Sequence, residues 1–391
     1  MKSIAHVRFT LQCAIWLAVA VLAQTGAAQT TRPAKRDTAP ATDWPIFRGN
    51  QALTGVAAGK LAEKFELRWT FVTDGPIRSS PIVFGDRVWI GSDDGHVYAV
   101  DRGSGDKVWS YRTEGPVEAP PTFINGLVVA GSTDGTLYAL DAATGGLRWK
   151  YATDDKIVGA ANWARIADGN RICILVGSYD NRLHCVDASS GEPLWRYATD
   201  NFINGGVAVK NGTAVFGGCD GLLHVVRVAD GSALAKVEIG SYVAASAAMV
   251  DDMAVVGHYD HKLLSVNLGA GSVAWDYQDR AFAFFSSAAV GRDRIAVGSR
   301  DKRLHCVQRD SGRPLWTFQT RGRVDSSPVI CDGKVVVGSD DGRLYVVRLA
   351  DGSEVWSHQI GEAIVASPAV VGGMIIIGAE DGRLYAFSGE S

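Results

Sequence analysis

A ten-residue string recurs eight times along this chain, and that recurrence constrains the fold more than any other feature. GSDDGHVYAV begins at Gly91, GSTDGTLYAL at Gly131, GSYDNRLHCV at Gly177 and GGCDGLLHVV at Gly217. GHYDHKLLSV begins at Gly257, GSRDKRLHCV at Gly298, GSDDGRLYVV at Gly338 and GAEDGRLYAF at Gly378. Successive starts lie 40, 46, 40, 40, 41, 40 and 40 residues apart. A period near 40 is that of a four-stranded propeller blade. Helical repeats of similar length are excluded locally: Val97, Tyr98, Ala99 and Val100 form a strand-like run after a turn, with no 3.6-residue period. The 45 Gly and 11 Trp, against 4 Met, suit many tight turns and a repeated aromatic anchor.

Each part of the repeat has a mechanical reason. The fourth residue of the string is always Asp, from Asp94 to Asp381, and in five copies the next residue is Gly. Asp-Gly between two apolar runs is a tight hairpin turn that needs positive φ. Eight equivalent Asp residues are therefore read as turn chemistry and not as a ring of metal ligands. A second block, DRGSGDKVW ending at Trp109 and its copies ending at Trp149, Trp195, Trp275, Trp316 and Trp356, turns the chain into an outer strand. Its Trp is expected between adjacent blades; the fourth unit has Ala235 there. The six extra residues of the third unit fall within 161–174 and predict a long protruding hairpin around Asp168-Gly169-Asn170.

The ends of the repeat array predict how the ring closes. Glu66–Val72 carries Trp69, 40 residues before Trp109, with no inner strands ahead of it. The last unit, 367–387, has inner strands and no outer strand after it. The N-terminal strand therefore completes the last blade. The expected fold is all-β: an eight-bladed β-propeller of four-stranded antiparallel blades over residues 44–391, which suits a monomer because closure leaves only short protected edges.

Upstream, Lys2, His6 and Arg8 precede an apolar run from Leu11 to Leu22 and the small residues Gly26-Ala27-Ala28, the pattern of a signal peptide over 1–28. Residues 29–43 read as a flexible linker. Export to the periplasm or the extracellular space follows, with no membrane span after cleavage. Removing Lys2 and Arg8 from 39 cationic residues leaves 37 against 42 acids, a mature charge of −5. No basic excess is available to neutralise phosphates, so a nucleic-acid partner is excluded. The five remaining cysteines, Cys173, Cys185, Cys219, Cys306 and Cys331, are an odd number, and all are read as buried small apolar residues.

The recurring D-x-x-[ST]-G-x-x-x-W and G-S-x-D-G-x-[LV]-[YH] blocks, with the segment Trp44-Pro45-Ile46-Phe47-Arg48-Gly49-Asn50, resemble the pyrroloquinoline-quinone (PQQ) type propeller repeat over residues 44–388. The resemblance implies one of two branches. Quinoprotein dehydrogenases hold PQQ and Ca²⁺ on the ring axis, under a vicinal Cys-Cys pair and large loop insertions. The non-catalytic branch includes the propeller lipoprotein of the outer-membrane β-barrel assembly machinery. This sequence has no Cys-Cys pair and nearly uniform units, so it is more similar to the second branch, although no Cys stands where lipidation would place one. The expectation is a non-catalytic scaffold without a cofactor that binds an envelope protein or peptide. A PQQ-dependent oxidoreductase using calcium, or a carbohydrate-binding propeller, are the alternatives.

Other chemistry is sparse. His184, His224 and His305 occupy the slot held elsewhere by Tyr98, Tyr138, Tyr345 and Tyr385, and read as strand residues; His258 and His261 flank a turn. No phosphate loop, zinc spacing or nucleophile elbow occurs. The informative positions are those that do not repeat. Thirteen residues before the motif Gly stand Arg78, Glu118, Asn204, Ala244, Phe285, Asp325 and Val365. The loops ahead of them add Lys156, Phe202, Tyr242, Phe282 and Arg323. At one repeat phase these residues converge on the axial mouth, and mixed charge with exposed aromatics is what a recognition surface needs. Arg78, Glu118, Lys156, Phe202, Asn204, Tyr242, Phe282, Phe285, Arg323 and Asp325 are the expected partner-binding residues.

Overall fold

The computed structural model describes residues 43–166, 169 and 171–389. The expected signal segment, nearly all of the linker, and Asp168 and Asn170 at the hairpin tip lie outside the described residues. Among the described residues the regular structure is entirely strand, in eight four-stranded antiparallel sheets. Blade 1 runs from the axis outward as Ile82–Phe84, Arg87–Ser92, His96–Asp101 and Lys107–Arg112. Blades 2 to 7 repeat that order. Blade 8 combines Ala369–Val371, Met374–Gly378 and Arg383–Gly389 with Phe65–Val72, which pairs antiparallel to Arg383–Gly389 as the outer strand. The closure read from the sequence ends is therefore present. The expected hairpin is present too: its arms Asn162–Ile166 and Arg171–Gly177 are five and seven residues long, against three and five in blade 4.

The motif Asp does three jobs in one turn. The Asp94 carboxylate accepts the His96 N–H at 2.9 Å and the Tyr98 hydroxyl at 2.8 Å, and also the N–H of Asp74 in the preceding loop at 3.1 Å. Where His replaces Tyr, the Asp–ring contact persists: Asp180–His184 and Asp220–His224 at 2.9 Å, Asp301–His305 at 3.1 Å. The other ring nitrogen then meets a Tyr hydroxyl from the preceding blade, Tyr151, Tyr197 or Tyr277, each at 3.0 Å. These histidines tie blades together. The residue after the Asp holds positive φ even where it is not Gly, as at Asn181 (66°) and Lys302 (68°).

The Trp residues fill the wedges between blades as expected. Trp69, Trp109, Trp149, Trp195, Trp275 and Trp316 each donate Nε1–H to a backbone carbonyl of the next blade at 2.9–3.0 Å. Each lies over the glycine of that blade's outer turn. A Cβ on Gly105, Gly145, Gly191, Gly231, Gly312 or Gly352 would come within 2.5–2.8 Å of the indole, so the Gly and the Trp require one another. Trp356 differs: its indole N–H has no hydrogen-bond partner among the described residues, and the ring packs edge-on against Phe65 of the closing strand and Phe387.

Residues 44–57 form a strap that the repeat pattern does not announce. The innermost strand of every blade has an unpaired edge facing the axis. Strap carbonyls cover six of those edges in ring order: Trp44 accepts Val83 N–H, Pro45 Phe123, Gln51 Val209, Ala52 Met249, Thr54 Val290 and Gly55 Ile330. Gln51 reaches blade 3 through Nε2 to the Trp163 carbonyl. Arg48 lies buried within the strap with no hydrogen-bond partner for its guanidinium among the described residues, and burial pulls its pKa down to about 9. On the mouth side of the strap, a hydrogen-bond chain runs around the axis. Backbone N–H groups of Gly206, Ser246, Ser287, Ser327 and Ser367 each donate to a serine hydroxyl of the following blade, ending on Ser80.

Candidate functional site at the axial mouth

One residue per blade at a fixed repeat phase must fall on one circle. Arg78, Glu118, Asn204, Ala244, Phe285, Asp325 and Val365 all line a single axial cavity of about 180 Å³. Val158 occupies the place in blade 3 that the insertion obscured, and Phe47 of the strap also lines the cavity. The loop residues sit around it. Phe202, Tyr242 and Phe282 are exposed, Arg323 is exposed, and Lys156 is half-buried.

A second ring, formed by a variable position inside the repeat string, interlocks with the first. The third residue of the motif string varies: Asp93, Thr133, Tyr179, Cys219, Tyr259, Arg300, Asp340 and Glu380. In every blade its N–H is held by a carbonyl in the preceding loop, as in Asp93 to Pro76 and Tyr259 to Tyr242. This fixes its side chain between two members of the first ring. Arg78 donates to Asp93 at 2.8 Å in its own blade and to Glu380 at 2.9 Å in blade 8. Asn204 accepts the Tyr179 hydroxyl from blade 3 and donates to the Cys219 sulfur at 3.4 Å. Phe285 meets Tyr259 at 5.7 Å between ring centres, and the Arg300 guanidinium lies 3.7 Å over its face. Arg300 then donates to Asp325 at 2.8 Å. Cys219 is thus a partly exposed mouth residue and not the buried apolar group expected; the other four cysteines are buried.

The two rings divide the mouth by chemistry. Blades 3 to 6 present Tyr179, Phe202, Tyr242, Tyr259, Phe282 and Phe285. Within this arc Tyr179 and Phe202 stack at 4.8 Å, with the Lys156 ammonium 4.3 Å from the Tyr179 ring centre. Blades 7, 8, 1 and 2 present Asp325, Asp340, Glu380, Asp93 and Glu118 around Arg323 and Arg78. Acids crowd here. Burial, and then the neighbouring Asp325 charge, push the Asp340 carboxyl up to about 6. Burial also raises Asp93, against the lowering effect of Arg78. One oxygen of each of these two carboxyls is buried without a hydrogen-bond partner among the described residues.

The sign of the resulting pH dependence follows from linkage. Asp340 ionises near 6 when folded and near its ordinary 3.8 when unfolded, so its contribution to stability is full below 3.8 and is lost as pH rises through 6. Asp340→Asn is expected to raise the melting temperature at pH 7.5 and to change it little at pH 4, because the wild-type carboxyl is largely neutral there. Equal effects at both pH values in thermal melts would show that Asp340 is not held in this strained state.

The residues at the mouth do not fit PQQ with calcium. The cavity is smaller than the roughly 300–1,000 Å³ of small-molecule sites. In the first ring the single cation is Arg78, already held by Glu380 and Asp93, and the surrounding carboxylates oppose a tricarboxylate ligand. A cluster with metal-ligand geometry, Asp279, Asp301 and His305, lies away from this cavity; its Asp301–His305 pair is the lock that other blades make with no third acid.

Comparisons with known proteins place this geometry in a family. A protein-family model described as outer membrane protein assembly factor BamB matches residues 49–173, 162–284 and 278–391. No curated protein matches the sequence. Among solved structures, BamB from Moraxella catarrhalis is similar at 20% identity and a TM-score of 0.68, covering 83% of this chain and 98% of that one. A europium-containing methanol dehydrogenase is similar at 14% identity and a TM-score of 0.74, covering 90% and 98%. Quinohemoprotein alcohol dehydrogenase from Comamonas testosteroni is similar at 13% identity and a TM-score of 0.75, covering 91% and 82%. At these identities the structural likeness carries the fold alone. The repeat match spans most of the chain, and this protein belongs to the BamB-like family of PQQ-type propellers.

Proposed function

We propose that this protein is an exported, non-catalytic propeller scaffold that holds a segment of an envelope protein or peptide across its axial mouth. The observation that carries the reading is the pair of interlocked, non-repeating rings on an otherwise repeated scaffold. Turn and wedge residues recur because every blade needs them; the mouth positions vary from blade to blade among charged, amide, aromatic and small side chains, so the fold does not dictate them. An aromatic arc facing an acid-rich arc suits an extended segment that brings apolar side chains to blades 3–6 and cationic ones to blades 7–2. The family description supports a place in the cell envelope. No helix among the described residues is long and apolar enough to cross a membrane.

The test is a binding comparison on the partner recovered from envelope extract. Changing Arg78 and Asp325 together to Ala is expected to weaken binding at least tenfold with a modest fall in melting: the Arg78 pairs are exposed and contribute about 0–1 kcal/mol, while the Arg300–Asp325 pair is part-buried. Lys107→Ala, on an outer strand, is the control and leaves binding unchanged. If the double variant binds normally while Pro substitutions along one outer strand abolish binding, the partner pairs with a sheet edge and the mouth is not the site. A cofactor role makes a separate demand: incubation with PQQ and Ca²⁺ should yield neither dye-linked oxidation of alcohols or sugars nor a melting shift.

A further inference from the structure

The wedge between blades 4 and 5 breaks the interblade pattern. In six wedges an indole lies on the next blade's turn Gly and donates to the carbonyl three residues before that Gly: Trp69 to Arg102, Trp109 to Ala142, Trp149 to Ala188, Trp195 to Val228, Trp275 to Arg309 and Trp316 to Leu349. Ala235 stands where blade 4 would supply its Trp. The seat it leaves is formed like the others. Gly271 holds the same turn with φ of 63°, and a Cβ there would meet nothing within 4 Å. The Leu268 carbonyl, three residues before Gly271, accepts no hydrogen bond among the described residues. Beside it opens a cavity of about 400 Å³ walled by Val225, Leu234, Ala235, Met249 and Leu268. Leu234 is 45% exposed, so the cavity is reached from solvent. Two further aromatic slots of this wedge are also vacant of rings, at Val237 and Leu264. The rim carries Asp251 and Asp252, both exposed, and Lys210, whose ammonium donates to the Asp251 carbonyl at 2.9 Å; Asp251 is paired with Arg309, and Asp252 makes no side-chain ion pair among the described residues.

We infer that this wedge is a docking slot for a tryptophan side chain of a partner protein, in a segment where Lys or Arg adjoins the Trp. The six filled wedges show on this scaffold what such a seat accepts: a flat indole over glycine, with its N–H on the free carbonyl. Asp252, the rim carboxylate with no ion pair among the described residues, attracts the neighbouring cation. The slot is distinct from the axial mouth.

The probes are the peptides acetyl-Lys-Trp-Lys-amide and acetyl-Lys-Ala-Lys-amide, with binding read by NMR line shape on the full chain. The Trp peptide is expected to bind saturably and the Ala peptide not to bind. Ala235→Trp should fill the slot from within, raise the melting temperature and weaken the Trp peptide at least tenfold. Asp252→Lys should weaken it several-fold without changing the melt, which keeps the test valid if Ala235→Trp folds poorly. Arg78→Ala with Asp325→Ala should leave this binding intact. Absence of saturable binding to the wild-type chain, or equal binding by Asp252→Lys and wild type, overturns the slot. A dimer in sedimentation that Ala235→Trp dissolves would make a second copy the occupant and overturn the assignment to a separate partner.

Discussion

Deleting residues 63–73 is expected to cost on the order of 6–10 kcal/mol, the sum for two large buried aromatics, and to leave a ring that unfolds at far lower temperature. The segment removed is the outer strand of blade 8. It buries Phe65 and Trp69, pairs residue by residue with Arg383–Gly389, and through Thr73 Oγ1 bonds the Gly382 carbonyl at 2.9 Å. Trp69 is also the wedge between blades 8 and 1, and Phe65 is the ring on which Trp356 of blade 7 leans. One deletion therefore opens two interfaces. A truncated chain that melts like the full one would contradict closure by this strand.

Trp149→Ala is expected to cost about 3–5 kcal/mol, the range for large-to-small changes at buried aromatics. Trp149 is buried, covers Gly191 and donates to the Ala188 carbonyl, so truncation empties a wedge and orphans that carbonyl. Trp356→Ala should cost less than half as much, because Trp356 is half-buried where Trp149 is buried, and its indole N–H has no hydrogen-bond partner among the described residues. Chemical denaturation of both variants decides the point. Equal losses would mean that the wedge geometry does not govern the energy.

The scaffold was legible because its signals are side-chain identities at fixed spacing. Asp, Gly and Trp recur since each answers a local demand that every blade repeats, and the end strands lacked partners in a way that only ring closure satisfies. The first mouth ring was legible for the same reason: residues at one phase, Arg78 to Val365, had to share one circle. The second ring carried an equally clear signal, a variable position inside the string, but the string reads as a repeat and draws the eye to what is constant. Tyr179, Tyr259, Arg300 and Asp340 stand at that position. The strap was not legible, because its contacts are backbone carbonyls meeting backbone N–H groups and leave no side-chain pattern. Cys219 departs from the other cysteines because it occupies the third position of the string, which turns to the mouth and meets Asn204.

Site-directed photo-crosslinking in the cells that make the protein decides whether the axial mouth holds the partner. A photoreactive amino acid placed at Phe202, at Tyr242 or at Lys107 samples the aromatic arc of the mouth and an outer strand in turn. The account predicts one discrete adduct, shared by the Phe202 and Tyr242 positions, lost when Arg78 and Asp325 are also changed, and absent from Lys107. An adduct formed from Lys107 and from neither mouth position would contradict it.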